Sequence, residues 1–217
     1  MNNSGLRLRT GTYLSKAADR HYSFYVIHST SPSMQSIVVY CGSSPGTKAI
    51  YKEVAIELGQ KMAERNIRLI YGGGGFGLMG NVADTVILGG GEVTGVIPNF
   101  LAQLEVAHKT LTEMHFVETM HERKYKMVTL AKGVITLPGG YGTFDELFEI
   151  LAWRQLKLYD GPIAVINVNG YYDLMLQQLD RCVEDGFLKA ENRALLIVAN
   201  TVDEALEAIG AFWDDLL

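Results

Sequence analysis

From Met34 onward, short β-branched runs alternate with longer runs of helical apolar spacing, and that alternation leaves few architectures open. Residues 36–41 (SIVVYC) read as a first strand, and 48–65 as a helix with Ala49, Val54, Leu58 and Met62 on one face. A second strand, 67–71, runs through GGGGFGLMG into a helix ending near Leu88, where Gly89, Gly90 and Gly91 stop it. Residues 92–97 form a third predicted strand, closed by Pro98; 99–112 read as a loop with a turn of helix. Strands at 114–117 and 133–137 bracket a helix at 119–131. A helix at 143–158, a strand at 163–167, a helix at 171–184, a strand at 195–199 and a helix at 202–213 complete the pattern. Strict alternation predicts an α/β fold, a three-layer Rossmann-like domain whose mostly parallel sheet carries helices on both faces. Ligands of such sheets bind outside the carboxyl ends of the strands, where strand order switches. Three glycine- or serine-rich turns fall at such ends: CGSSPG, YGGGGFG and LPGGYGT.

Residues 1–33 differ: they show no clear period and no signal-peptide pattern. They are expected to be a poorly structured N-terminal extension ahead of one domain, 34–217, with Met34 as the ancestral start. A length of 217 residues suits one such domain. The net charge of −5 argues against a nucleic-acid partner, and no apolar run approaches the length of a membrane helix. Cys41 and Cys182 lack any CxxC or metal spacing, which fits a reducing, cytoplasmic setting. The histidines show no metal-like pairing and no GxSxG elbow occurs, so neither a metal nor a serine triad is expected.

The segment LPGGYGTFDELFEI, 137–150, carries the strongest chemical signal. A strand that empties through glycines into a helix N-terminus favours an anion. Asp145 and Glu146, placed in the first turn if the helix starts at Thr143, would repel a phosphate they faced, so chemistry on a phosphorylated substrate is suggested. Thr143 to Glu146 also reads as a capping box, which would explain Glu146 without catalysis. GGGGFGLMG matches GxGxxG at Gly75, Gly77 and Gly80, but the next strand end, Val96 to Asn99, lacks the ribose-binding acid of a dinucleotide site. The loop, Gly74 included, then approaches either a phosphate or a neighbouring backbone, or is only a tight turn. CGSSPGTK misses the Walker spacing. Ser43 and Ser44 could meet a ligand or cap a helix, and Cys41 reads as a small buried residue. Taken alone, Arg123 and Lys124 read as a solvated helix face, and Glu105 is unremarkable.

GGGGFGLMG, MHERK and above all PGGYGTFDE resemble the Lonely Guy (LOG) family, from about Ser36 to near the C-terminus. Its members are cytokinin riboside 5′-monophosphate phosphoribohydrolases, many carrying an older lysine-decarboxylase label. The resemblance implies hydrolysis of the N-glycosidic bond of a nucleoside 5′-monophosphate, without a cofactor, in a homodimer. It implies catalytic roles for Arg123 and Glu146. Substrate-binding roles are implied for Glu105, Lys124, Gly139, Gly140, Tyr141, Gly142, Thr143 and Asp145; Ser43 and Gly74, from the other two turns, are further substrate-binding candidates. The family usually has Glu where this chain has Asp145, and plant members often have Thr where Ala152 precedes Trp153; the latter puts a base- or ribose-side hydrogen bond in question. Decarboxylation is set aside, because no lysine sits in a recognisable pyridoxal phosphate context. Two other readings stay open: a non-enzymatic nucleotide or cofactor carrier on the same fold, and a general AMP or nucleotide nucleosidase.

Overall fold

A computed structural model of the chain describes residues 35–102 and 107–214. The expected extension 1–33 and the candidate Glu105 lie outside them. Seven strands form one sheet: β1 (Ser36–Tyr40), β2 (Arg68–Tyr71), β3 (Val93–Pro98), β4 (Glu113–Val117), β5 (Gly133–Thr136), β6 (Ile163–Ile166) and β7 (Leu196–Ala199). The helices are α1 (Ala49–Glu64), α2 (Gly77–Leu88), α3 (Asn99–Ala102), α4 (Met120–Leu130), α5 (Tyr141–Gln155), α6 (Asp173–Glu184), α7 (Ala190–Arg193) and α8 (Val202–Asp214).

The sheet order is β4-β3-β2-β1-β5-β6-β7, and every pair is parallel. Central strands of such a sheet are covered on both faces, which is why SIVVY and GVIT are continuous apolar runs. Successive side chains still part ways. Ile37 and Val39 join a core with Leu58 and Met62 of α1, Leu78 and Val82 of α2, and Ile209 of α8. Val38 and Tyr40 join a second core with Met127 of α4, and Leu147 and Ile150 of α5. The sheet therefore lies between two helical layers. From β1 the chain builds outward through β2 and β3 to β4, then returns to lay β5 against the other side of β1. Strand order switches between β1 and β5, and the turns after these two strands open onto one crevice.

Three departures from the sequence reading have local causes. The four-residue α7 is too short to display a helical period. Before α6, a 3₁₀ turn at Val168–Gly170 puts Asn169 at φ 52°, so the expected helix start at Tyr171 moves to Asp173. Most consequential, α5 begins at Tyr141 rather than Thr143, because Leu137 and Pro138 stay tied to β1 and its exit and the chain turns at once through Gly139 and Gly140.

Helices α1 and α2 touch closely at Gly59. A Cβ there would stand 2.8 Å from both the Val82 carbonyl oxygen and Thr85 Cβ. In a free helix Gly→Ala gains about 1 kcal/mol; here neither neighbour can yield freely. Gly59→Ala is expected to lower the unfolding free energy by about 1–3 kcal/mol, measured by urea denaturation, whereas a more stable variant would mean that the two helices part without cost.

Candidate active site

Three turns converge at Gly42. Its N–H donates to the Pro138 carbonyl at 3.0 Å, extending the pairing of β1 with β5 beyond the strands. Its carbonyl accepts from the N–H groups of Leu78 at 3.1 Å and Met79 at 3.4 Å. The first turn of α2 is thus capped by protein backbone. Gly77 has φ +63°, and a Cβ on it would lie 2.3 Å from Ser43 C and O. Of the alternatives left for the GGGGFG loop, the structure shows the neighbouring backbone.

Helix α5 starts differently. Gly140 is its extended N-cap and supplies no side-chain cap, and the first helical bond runs from Phe144 N–H to Gly140 O at 3.1 Å. The N–H groups of Tyr141, Gly142 and Thr143 precede that ladder, and among the described residues no acceptor takes them. The first turn contains no acid, since Asp145 and Glu146 stand in the second. The expected clash between phosphate and first-turn carboxylates is therefore corrected by the earlier helix start. So is the capping box at Thr143, now the third helical residue. A comparable motif lies in α4, where Thr119 Oγ1 accepts from Glu122 N–H at 3.1 Å and Glu122 Oε2 from Glu118 N–H at 2.9 Å.

Between the turns lies a cleft of about 210 Å³. Ser43, Gly72, Gly140, Tyr141, Gly142, Thr143, Arg123 and Glu146 line it, over a floor that includes Val39, Cys41 and Met79. A hollow of similar size, about 200 Å³, lies around Phe148, Leu151, Leu179 and Leu188. Its lining is mainly apolar, whereas the first cleft gathers a cation, a carboxylate and free N–H groups.

Arg123 is only 6% exposed, which corrects its reading as part of a solvated face. Its Nε donates to Val96 O at 3.2 Å and its Nη2 to Gly72 O at 3.0 Å. Gly72 makes the seat possible: a Cβ there would stand 2.0 Å from Nη2. Two carbonyl dipoles hold the guanidinium. Lys124 is buried as well and turns to α5, with its Nζ 3.0 Å from Asp145 Oδ2 and 3.1 Å from Glu149 Oε1. Burial alone would lower its pKa; the hydrogen bonds it donates to Asp145 and Glu149 outweigh that and raise it. Asp145 thus meets Lys124, while Glu146, its neighbour, faces the cleft with Arg123.

The other expected residues divide. Tyr141 is exposed at the rim, Thr143 is buried, and Ser43 lines the cleft. Gly139 lies against Thr143, whose Oγ1 would be 2.0 Å from a Cβ on it. Gly74 instead pairs with Ala107 in an isolated bridge. Ser44 Oγ accepts from Gly46 N–H at 3.3 Å and caps no helix. Gly42 and Gly72 escaped the sequence reading as site residues. Their only signal was membership of a glycine-containing strand exit, and what they touch is decided across the sheet.

A protein of this build is an α/β domain whose cleft, at the switch point of a parallel sheet, is lined by an arginine, a glutamate and the start of a helix. A family model described as "Possible lysine decarboxylase" matches residues 79–209. The chain is 45% identical over 173 residues to the probable cytokinin riboside 5′-monophosphate phosphoribohydrolase LOGL2 of Oryza sativa subsp. japonica, covering 80% of this chain and 71% of that relative. It is 43% identical to LOG1 of Arabidopsis thaliana, named a cytokinin riboside 5′-monophosphate phosphoribohydrolase, covering 80% and 81%. The chain belongs to the Lonely Guy family. Solved structures sharing the fold include the molybdenum cofactor binding protein of Rippkaea orientalis (TM-score 0.65, 19% identity, 83% of this chain and 98% of that one). The molybdenum cofactor carrier protein of Chlamydomonas reinhardtii is similar (TM-score 0.63, 17% identity, 84% and 99%).

Burial, with a smaller push from Glu146, drives the Cys41 thiol far above its ordinary range; burial does the same for Tyr40, Tyr71 and Tyr172. The folded chain keeps protons that the unfolded chain releases at about pH 8.5 for Cys and about pH 10 for Tyr. Stability from these groups is full below those values and is lost as pH rises above them. Urea midpoints should stay level from about pH 7 to 8 and fall steadily above about pH 9; a midpoint that rises between pH 9 and 11 would contradict the assignment.

Proposed function

We propose that this chain hydrolyses the N-glycosidic bond of nucleoside 5′-monophosphates, cytokinin riboside 5′-monophosphates among them, to free base and ribose 5-phosphate. The observation that carries this is the meeting of Arg123, Glu146 and the uncapped N-terminus of α5 in one cleft. The N–H groups of Tyr141, Gly142 and Thr143, with the helix dipole, take the 5′-phosphate. Ser43 offers a hydroxyl from the opposite turn. Glu146 follows about one helical turn later, ~5.4 Å along the axis, the scale of the span from a 5′-phosphate to its anomeric carbon.

As the C1′–N bond breaks, its electron pair leaves with the base and positive charge grows on the ribose. The Glu146 carboxylate stabilises that charge and accepts a proton from the water that adds to C1′; the departing base takes a proton from solvent, and Glu146 returns its own to solvent. Arg123 orients Glu146 or the ribose hydroxyls. Lys124 and Asp145 fix α4 against α5, so that the arginine and the glutamate keep their relative positions. Binding at the phosphate, remote from the reacting bond, seats the substrate in the cleft. Lys124, held charged by two carboxylates, is unsuited to forming the Schiff base that lysine decarboxylation requires.

The enzyme works as a cytoplasmic homodimer, with no nucleic-acid or membrane partner and no cofactor. Exposed Phe148, Leu156 and Leu158 on and after α5 support a second copy as partner. Among the described residues no helix is long and apolar enough to cross a membrane.

Incubation with AMP and with isopentenyladenosine monophosphate should release free base, detected by chromatography. Binding of both without release would favour a carrier instead. Glu146→Gln keeps the side chain's shape and removes its charge; kcat should fall on the order of 10²–10⁴-fold with the fold intact, and undiminished turnover would remove Glu146 from the mechanism. Gly72→Ala drives the guanidinium of Arg123 from its seat, and kcat/KM is expected to fall on the order of 10²-fold. Wild-type kinetics in that variant would show that the seat is dispensable.

A further inference from the structure

Four consecutive carbonyls lead into α5, and each meets a fixed donor. Tyr172 Oη donates to Leu137 O at 2.7 Å, and Gly42 N–H to Pro138 O at 3.0 Å. Tyr171 Oη donates to Gly139 O at 2.6 Å, and Phe144 N–H to Gly140 O at 3.1 Å. A trans peptide directs its N–H opposite to its C=O. Anchoring the Gly139 carbonyl on Tyr171 therefore turns the Gly140 N–H away from that tyrosine. Gly140 itself lines the cleft. Flanked by glycine on both sides, the 139–140 peptide has little intrinsic resistance to flipping. A flipped peptide would present an oxygen where an anion needs a donor.

The anchors are themselves well held. Tyr171 and Tyr172 follow the 3₁₀ turn whose Asn169 sits at φ 52°. Asn167 Oδ1 accepts from Tyr172 N–H at 2.8 Å, and its Nδ2 donates to Asp173 at 2.7 Å. The Tyr171 ring packs edge-on against Tyr51 at 5.8 Å and Tyr172 at 5.0 Å. The ring's packing is independent of its hydroxyl, so the hydroxyl's work can be isolated.

We propose that Tyr171 is a positioning residue for phosphate: its hydroxyl holds the Gly139 carbonyl off the cleft, so that the Gly140 N–H serves the anion. Tyr172 anchors the Leu137 carbonyl two residues earlier, where Pro138 has no N–H to present. This rests on the reading of the cleft as a nucleoside 5′-monophosphate site. Tyr171 touches no reacting atom and acts through one peptide plane.

Tyr171→Phe retains the ring and removes the hydroxyl. KM for AMP should rise roughly three- to tenfold with kcat within about twofold, the pattern of a lost binding contact. Inhibition by inorganic phosphate should weaken by the same factor. A fall in kcat with KM unchanged, or kinetics equal to wild type, overturns the proposal. Calorimetric titration of AMP into Glu146→Gln, with and without Tyr171→Phe, gives an arm free of turnover, and the doubly substituted protein should bind three- to tenfold more weakly. If the wild type releases no base yet this weakening is seen, the reaction assignment fails and the positioning role stands. If the wild type turns over and the two affinities match, the positioning role alone fails; if neither protein binds AMP or phosphate, both fall.

Discussion

The backbone of Gly42 joins the three turns on which the cleft depends. One peptide N–H ties the exit of β1 to the exit of β5, and one carbonyl closes the start of α2. Neither bond is exceptional in strength, about 0.5–1.5 kcal/mol net apiece. Their effect is geometric, because they settle which helix N-terminus keeps its donors. With Leu78 and Met79 of α2 bonded to Gly42, the N–H groups of Tyr141, Gly142 and Thr143 are left without an acceptor among the described residues, on the side of the cleft where Glu146 follows.

That division explains the use of glycine around the site. Gly77 permits the backbone of one turn to touch that of another, at a φ other residues avoid. Gly72 leaves room for a guanidinium, and Gly139 leaves room for Thr143. Each is a steric vacancy filled by a particular neighbour. The charged groups obey a similar economy of space. Arg123 and Lys124 are adjacent in sequence and both buried, yet one rests on carbonyls at the cleft and the other on two carboxylates of α5. A buried cation without such partners would be strongly destabilising, so the pair requires both the β2 exit and α5 in place.

Much of the architecture was legible because its cause is local. Most strands came from short runs of β-branched and other apolar residues, and the parallel sheet followed from alternation alone. The glycine turn entering a helix after β5 was legible too, since it is a property of consecutive residues. The start of α5 was not. Thr143, Asp145 and Glu146 form a plausible capping box in sequence, but a cap is chosen where the chain leaves its last tertiary anchor, and that anchor is Pro138 on Gly42. Similarly, Tyr171 and Tyr172 carry no motif that relates them to residues 137 and 139; the meeting of β6's exit with β5's is made by strand adjacency in the sheet.

By itself, then, the sequence determined the α/β class, the element order, the glycine-rich exits and the presence of Arg123 and Glu146, since each depends on residue type and short-range spacing. Only the tertiary structure decided that Arg123 is buried rather than solvated, that Glu146 faces a cleft rather than caps a helix, and that the GGGGFG loop serves backbone contact. The physical reason is common to all three. Each depends on which unpaired donors, carbonyls and steric gaps remain after distant strands have been laid side by side, and that remainder is a property of the assembled sheet.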